Sequence, residues 1–260
     1  MTDRKLMKDY FDIDLAKRYA DNISEVYPEF KSADFIKETS SLITDGRMSE
    51  RINVFAEQLR KYLPNDYTKA TEIIIAILEE ENDEFYFPFE RTYYYRAIET
   101  FVGMYGEADF EQSIKTMEEI TKRHSSEFSV RPFILRDYDK MEKVFSDWGQ
   151  HSNAHLRRLV TEGTRPRLPW AKKLPFIRND IDENFKLLKP FLNDSSRYVE
   201  KSVANHLNDL SKDEPDKVIT FIKENLNETS VFIVKRALRT LKKNENSQAL
   251  AILEELKENR

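Results

Sequence analysis

The chain has 260 residues, a net charge of −5 and no cysteine. This length can bury a large core, and the absence of cysteine excludes disulfides, thiolate zinc sites and a cysteine nucleophile, as expected in a reducing compartment. The acidic balance argues against a nonspecific basic coat, so any contact with nucleic acid should be confined to one face.

Apolar residues recur at helical spacing through the first half. A stripe from Ile52 to Leu63 stops at Pro64, and further stripes cover 73–78, 101–105 and 114–120. No stretch alternates with the period of a strand, so the chain is predicted to be all-α. The charged first residues lack a signal-peptide core, and the longest apolar run, 73–78, is too short to cross a bilayer. We therefore expect a cytoplasmic protein without a membrane partner.

The second half repeats one helical pattern at an offset of 34 residues. The matching apolar pairs are Val199 and Ile233, Val203 and Ala237, Ala204 and Leu238, and Leu207 and Leu241. A weaker copy lies 44 residues before the middle one. Helix pairs of this length stack as a solenoid because each pair covers the apolar face of its neighbour. The third position is basic in every copy (Arg157, Lys201 and Lys235), which predicts a row of cations on one surface or, alternatively, unrelated surface charges.

Cations concentrate in the segment 157–178, which contains seven basic residues and the single acid Glu162. The basic residues are Arg157, Arg158, Arg165, Arg167, Lys172, Lys173 and Arg178. Such a patch is typical of contact with the phosphates of a nucleic acid. Arg165 and Arg167 flank Pro166 in a turn suited to presenting guanidinium groups. Further candidate DNA contacts are Lys201, Lys235, Arg236, Arg239 and, by packing against a ribose or a base stack, Trp170, for which a core position is the alternative.

Several motifs resemble the AlkC branch of the HEAT-like alkylpurine DNA glycosylases. They are HLRRLVTEGTRPRLPWAKKLP (155–175), SSEFSVRPFI (125–134) and SVANHLNDLSKDEPD (202–216), with shorter matches at VYPEF (26–30), YLPNDY (62–67) and VKRALRTL (234–241). The resemblance implies a HEAT-like helical-repeat solenoid with a concave, basic DNA-binding face. Because no run of Gly, Ser or Pro indicates a flexible linker, we expect one domain over 1–260, with an amino-terminal helical part at 1–110 and catalytic and DNA-binding repeats at 111–260. Some members of the family carry an immunoglobulin-like extension, which we do not expect here.

The resemblance further implies an activity in base excision repair. A member of this branch releases cationic N-alkylated bases, such as 3-methyladenine and 3-methylcytosine, from double-stranded DNA by hydrolysing the N-glycosidic bond without flipping the base. The catalytic carboxylates of the family map onto Glu127, Glu162 and Asp209. We expect such a protein to act as a monomer without a metal or other cofactor.

The chemistry is compatible with carboxylates alone. An alkylated base already carries a positive charge, so it leaves as a neutral molecule and needs no general acid. The sugar becomes oxocarbenium-like, and carboxylates can stabilise that cation and orient a water molecule, as they do in glycoside hydrolysis. The four histidines have no metal-binding spacing, and no lysine Schiff base is required.

Simpler interpretations remain open at this stage. Glu162 follows Arg158 by four residues and Glu127 precedes Arg131 by four, so both acids could form exposed helix-face ion pairs worth about 0.3–0.5 kcal/mol. Asp209 could simply end a helix. A noncatalytic HEAT-like protein that binds distorted or branched DNA is the alternative function, and a protein-binding scaffold is a third. The presence of all three acids favours the enzyme.

Overall fold

Helices make up all the regular structure in residues 5–82, 85 and 89–258, the part of the chain that this computed structural model describes. The prediction of an all-α, helical-repeat fold is confirmed. None of the described helices combines the length and the apolar character needed to span a membrane. The chain divides into two units, Met1–Phe133 and Ile134–Arg260. The expected single domain, with parts at 1–110 and 111–260, stays a prediction.

The first unit contains α1 to α6 and the beginning of α7. Their bounds are α1 Ile13–Val26, α2 Ser32–Leu42, α3 Met48–Tyr62, α4 Tyr67–Ala76, α5 Phe89–Tyr105, α6 Phe110–Thr121 and α7 Val130–Arg136. Aspartates start three of these helices by accepting hydrogen bonds from backbone N–H groups of the first turn: Asp12 at α1, Asp66 at α4 and Asp109 at α6. The predicted stripe that begins at Ile52 is the buried face of α3, which ends just before Leu63 and Pro64.

Helix pairs form the core of the first unit. The pairs in contact include α1 with α2, α3 with α5, and α4 with α6. Aromatic rings fill the space between them, and Tyr19 of α1 stacks on Tyr94 of α5 with 4.7 Å between ring centroids. The long helix α5 is therefore a central element of this unit, and one of its faces carries the segment that contains Glu127.

The second unit continues with eight helices among its described residues. Their bounds are α8 Tyr138–Gly149, α9 Ala154–Gly163, α10 Ile181–Leu188, α11 Arg197–Leu210, α12 Pro215–Glu224, α13 Val231–Ala237, α14 Arg239–Lys243 and α15 Ser247–Glu258. Asn153 caps the start of α9 and Asp180 that of α10, while proline occupies the first position of α12, where no intrahelical N–H donor is needed.

The sequence repeat corresponds to three neighbouring helices. Helix α11 packs against α9 on one side and α13 on the other. The matched residues Val203 and Ala237 are both fully buried, as is Leu159 in the weaker first copy. The last copy is interrupted, because α13 ends at Ala237 and a separate helix, α14, begins at Arg239. This row of helices carries two of the three predicted catalytic acids.

Candidate functional site

Glu162 lies in the last turn of α9, and its environment is a buried one. The residue is only 6% exposed. Its Oε1 lies 3.3 Å from Nη2 of Arg158, one turn earlier, and accepts a hydrogen bond from Nη1 of Arg165 at 2.6 Å. The four-residue spacing correctly anticipated the Arg158 ion pair. The alternative interpretation placed this ion pair on an exposed helix face. That placement was wrong, because the end of α9 is covered by α11 and by the chain that follows it.

Arg165 joins Glu162 to Asp209. Its Nε donates to Oδ2 of Asp209 at 2.9 Å, across 44 residues of sequence, and the arginine is 6% exposed. Asp209 lies in the last turn of α11, is 2% exposed and also pairs with Lys212 at 3.2 Å. The structure therefore brings two of the three predicted catalytic carboxylates onto one guanidinium. We call Arg158, Glu162, Arg165 and Asp209 the acid–arginine cluster.

The opposite charges of the cluster shift the pKa values of Glu162 and Arg165. Burial, the largest influence on Glu162, raises its pKa, but Arg158 and Arg165 together with hydrogen bonds from Ser202 and Arg165 outweigh burial and leave the pKa below its usual value. Burial lowers the pKa of Arg165, and the neighbouring carboxylates Glu162 and Asp209 more than reverse that effect. Glu162 is thus an ionised carboxylate at neutral pH although it is removed from water.

A buried polar chain fixes the two acid-bearing helices against each other. Nδ1 of His206, on α11, lies 2.9 Å from the carbonyl oxygen of Thr161, the residue before Glu162. Its Nε2 lies 3.1 Å from Nδ2 of Asn184, whose own oxygen accepts from the backbone N–H of Ile177. This pattern requires a neutral imidazole that donates from Nδ1 and accepts at Nε2. In agreement, burial lowers the pKa of His206 to about 4.

The buried His206 predicts a defined acid sensitivity. Its pKa in the folded state lies below the ordinary value of 6.5, so the unfolded chain takes up a proton first as the pH falls. The contribution of His206 to stability is fully present above pH 6.5 and is lost as the pH approaches about 4. We expect this residue to remove up to about 1.4 kcal/mol per pH unit, on the order of 3 kcal/mol over the window.

Urea unfolding between pH 7.5 and 4 measures this effect. The carboxylates of the protein also titrate there, so the comparison with His206→Gln isolates the histidine. The free energy of unfolding of the parent should fall more steeply than that of the variant. Parallel profiles would show that the pKa of His206 does not differ between the folded and the unfolded protein.

Two arginines expected at the DNA surface form ion pairs with acids of the protein. Arg157 donates from Nε and Nη2 to both oxygens of Asp194, at 2.7 and 2.9 Å, and from Nη1 to two backbone carbonyl oxygens before α9. Arg165 donates hydrogen bonds to Glu162 and Asp209. Acids from later parts of the chain therefore reach both guanidinium groups. The predicted contact of Arg157 and Arg165 with phosphates stays a prediction.

The other predicted DNA-binding cations are at least partly exposed. Arg167 and Lys173 both pair with Asp213, at 2.6 and 3.2 Å, and Arg236 donates to Asn205 at 3.0 Å. Burial, the neighbouring Arg236 and Arg165 together lower the pKa of Arg239, while Asp209 opposes this shift. The exposed Arg239 thus lies near the acid–arginine cluster. The exposed set is Arg167, Lys172, Lys173, Lys201, Lys235 and Arg239.

Trp170 stands out in the loop 164–180, which connects α9 to α10. The residue is 73% exposed and has a φ of 63°, a left-handed conformation that an aromatic residue rarely adopts. Leu168 and Leu174 are buried on either side of it, and the N–H of Leu174 donates to the carbonyl oxygen of Pro166 at 3.0 Å. The loop is therefore anchored at both ends of the turn that displays this ring.

At the end of the same loop, Arg178 also has a left-handed backbone, with a φ of 49°. Its guanidinium binds Asp139 and Glu142 of α8 and Glu183 of α10. It also faces the ring of Tyr138, with its Cζ 4.9 Å from the ring centroid. Arg178, the seventh cation of the basic segment, therefore anchors the loop.

Glu127 lies in the first unit, in the segment between α6 and α7. Its carboxylate is half-buried and accepts a hydrogen bond from Oγ of Ser125 at 3.0 Å, while its backbone N–H donates to the same Oγ at 3.3 Å. Ser125 therefore orients this side chain locally. The catalytic role of Glu127, like those of Glu162 and Asp209, stays a prediction.

Sequence reasoning missed the supporting residues Asn184, Asp194, Ser202 and His206. A signal was available for His206, which precedes Asp209 by three residues and so lies on the same side of α11. Asn184 and Asp194 offered none, because their partners are far away in sequence. Within the described residues, no group of three or more histidine or acidic side chains is arranged to hold a metal ion.

Comparison with known proteins identifies the family. The sequence model of the family described as DNA alkylation repair enzyme matches residues 45–241. Since this match spans more than half of the chain, the protein belongs to the DNA alkylation repair enzyme family.

Two individual relatives refine the placement. The uncharacterized protein YhaZ of Bacillus subtilis is 34% identical over 256 residues, which cover 95% of this chain and 67% of that protein. The structure of Pseudomonas fluorescens alkylpurine DNA glycosylase AlkC bound to DNA containing an abasic site analog matches with a TM-score of 0.86 and 31% identity, over 96% of this chain and 68% of the other. The chain belongs to the AlkC branch.

Proposed function

We propose that this protein is a monofunctional DNA glycosylase that hydrolyses the N-glycosidic bond of cationic N-alkylated bases in duplex DNA, without flipping the base. 3-Methyladenine and 3-methylcytosine are the proposed substrates. The acid–arginine cluster is the observation that carries this proposal, because its arginines keep a buried carboxylate ionised. In this proposal the protein acts as a cytoplasmic monomer.

The reaction needs negative charge next to the sugar. When the C1′–N bond breaks, its electron pair goes to the cationic base, which leaves neutral, and positive charge develops on the sugar. The water oxygen then bonds to C1′ and its proton passes to a carboxylate or to solvent. Carboxylates fixed before the reaction stabilise such a cation more effectively than mobile water does. Glu162, Asp209 and Glu127 are the proposed acids. Arg165 helps to keep Glu162 ionised and holds both Glu162 and Asp209 in place through its hydrogen bonds.

The structural relative supports DNA as the partner. That enzyme was determined with DNA containing an abasic site analog, and an abasic site is what remains once a base is released. For this chain we assign phosphate contact to the exposed cations, with Arg236 added, and contact with a ribose or a base stack to Trp170. Arg158 belongs to the acid–arginine cluster, because its guanidinium pairs with Glu162, and also to the residues proposed to contact DNA. The same guanidinium lies 5.0 Å from the ring centroid of Tyr198.

Release of free bases from damaged DNA tests the proposed function. Incubation with methylated duplex DNA, followed by chromatography of the supernatant, should show 3-methyladenine or 3-methylcytosine. Duplexes with uracil or 8-oxoguanine should release nothing, because the proposed mechanism assigns no acid that would protonate a neutral leaving base. The abasic strand should stay intact until alkali or heat is applied.

Two results would contradict this assignment. Efficient uracil excision, or a covalent complex trapped by borohydride, would require different chemistry. Tight binding to distorted or branched DNA without base release from any alkylated duplex would favour the noncatalytic alternative.

A further inference from the structure

We infer that three residues of α5, Arg96, Glu99 and Gly103, form a platform that positions Glu127 for the reaction. This inference rests on the proposed function, because it assigns positioning residues to one of the proposed catalytic acids. None of the three contacts substrate in this assignment. They act through the segment 125–129, which crosses one face of α5 within the first unit.

Gly103 sets how closely that segment approaches the helix. A Cβ atom added at Gly103 would lie 3.2 Å from Cα and 3.5 Å from Cβ of Ser129. The nearer atom belongs to the backbone, so it cannot rotate away as the end of a side chain could. Any larger residue at 103 therefore pushes the segment outwards by a few tenths of an ångström, two residues from Glu127.

Arg96 fixes the other end of the same face. Its guanidinium lies over the ring of Phe128, with Cζ 3.5 Å from the centroid, and Phe128 directly follows Glu127. Arg96 also forms an ion pair with Glu99, which is 2% exposed. The buried carboxylate restricts the guanidinium, and the guanidinium in turn restricts the ring by a cation–π contact. A buried ion pair contributes little net stability on average, which makes a positioning role a better explanation of its presence.

The segment also carries bonds that make it rigid. Oγ of Ser126 donates to the carbonyl oxygen of Met117 in α6 at 3.0 Å, and the N–H of Val130 donates to the carbonyl oxygen of Ser126 at 3.1 Å. A displacement imposed at Ser129 or Phe128 is therefore transmitted along a stiff turn to Glu127. Catalysis is sensitive to such displacements, since a misplacement of about 1 Å can cost on the order of 10²-fold in rate.

Gly103→Ala tests the platform, and Gly106→Ala is its matched control. Gly106 follows the last turn of α5, and a Cβ atom there would lie 2.3 Å from Oγ of Ser113 and 2.6 Å from the Tyr67 hydroxyl, away from the 125–129 segment. Under single-turnover conditions with saturating protein, Gly103→Ala should slow release of a methylated base by about 10-fold and leave DNA affinity unchanged. Gly106→Ala should lower the melting temperature at least as much and leave the single-turnover rate at the parent value.

A double-mutant cycle separates positioning from general damage to the fold. If Gly103 acts through Glu127, the alanine substitution should have almost no further effect on the rate in a Glu127→Gln background. Phe128→Leu, which removes the ring under Arg96, should give the same pattern if Gly103→Ala does not fold. Equal rate losses in the parent and the Glu127→Gln background would overturn the inference, as would a parent-like rate for folded Gly103→Ala. A parent protein that releases no base would instead contradict the proposed function itself.

Discussion

Glu162→Gln is expected to slow excision of a methylated base by about 10²-fold or more, which corresponds to about 2.7 kcal/mol of lost transition-state stabilisation. The substitution keeps the size of the side chain but removes the charge that would face the sugar cation. DNA affinity should hold or rise, because a negative charge leaves a basic neighbourhood. Single-turnover excision and equilibrium DNA binding, measured on the same preparation, check both expectations.

The buried position of Glu162 makes a folding control essential. Arg158 and Arg165 both lose a charged partner in the variant, so we also expect a stability loss of about 1–3 kcal/mol. Glu200→Gln is the matched control, since Glu200 is a buried acid of α11 that pairs with Arg197. It should lose stability with excision unchanged. If folded Glu162→Gln excises within a factor of a few of the parent, Glu162 is a structural residue.

Arg165→Ala is expected to abolish most excision and to destabilise the protein by about 3–5 kcal/mol. The change removes the guanidinium that two buried carboxylates share, and breaking a buried ion pair on one side is costly. Arg158 still pairs with Glu162 and Lys212 with Asp209, so part of the charge stays compensated. Arg165→Lys retains the charge, but a single ammonium cannot reproduce the fork that reaches both Glu162 and Asp209. It should fold better than the alanine variant and still excise at least about 10-fold more slowly. Chemical unfolding and single-turnover excision measure the two effects.

Lys172→Ala is expected to weaken DNA binding without a loss of stability, in contrast to Arg165→Ala. Lys172 is exposed in the loop 164–180, so its loss should weaken binding to damaged and undamaged duplex alike and leave unfolding unchanged. The slope of log K against log salt should become shallower by about 1 if one phosphate contact is lost. If Arg165→Ala behaves in this way, with parent-like stability and a shallower slope, Arg165 is a DNA contact after all.

Local periodicity was sufficient to predict an all-helical chain, several of its helices and part of their packing. The stripe from Ile52 to Leu59 is the buried face of α3, and the 34-residue offset predicted that α11 and α13 are equivalent elements, which pack side by side. These features depend on residues within one turn of each other or on a repeat, so the sequence displays them directly. No periodicity indicates the interruption at Leu238, where α13 ends and α14 begins.

The environment of the site could not be read from spacing. Arg157 and Arg165 look like surface cations in the sequence because their acidic partners, Asp194 and Asp209, lie 37 and 44 residues away. Those charges meet because α9 and the loop after it pack against α11 and the residues just before it. The motif resemblance pointed to Glu162 and Asp209 as site residues, but it gave no information on burial, on their shared arginine or on the neutral His206 behind them.

The display of Trp170 at the loop surface has a practical consequence. The chain contains two tryptophans, and the other, Trp148, is 3% exposed in the interior of the second unit. Their indole emissions should differ in wavelength and in accessibility to a soluble quencher such as acrylamide, with Trp170 the redder and more easily quenched of the two. Occupancy of the loop 164–180 can therefore be followed by intrinsic fluorescence, without a label attached to either the protein or its ligand.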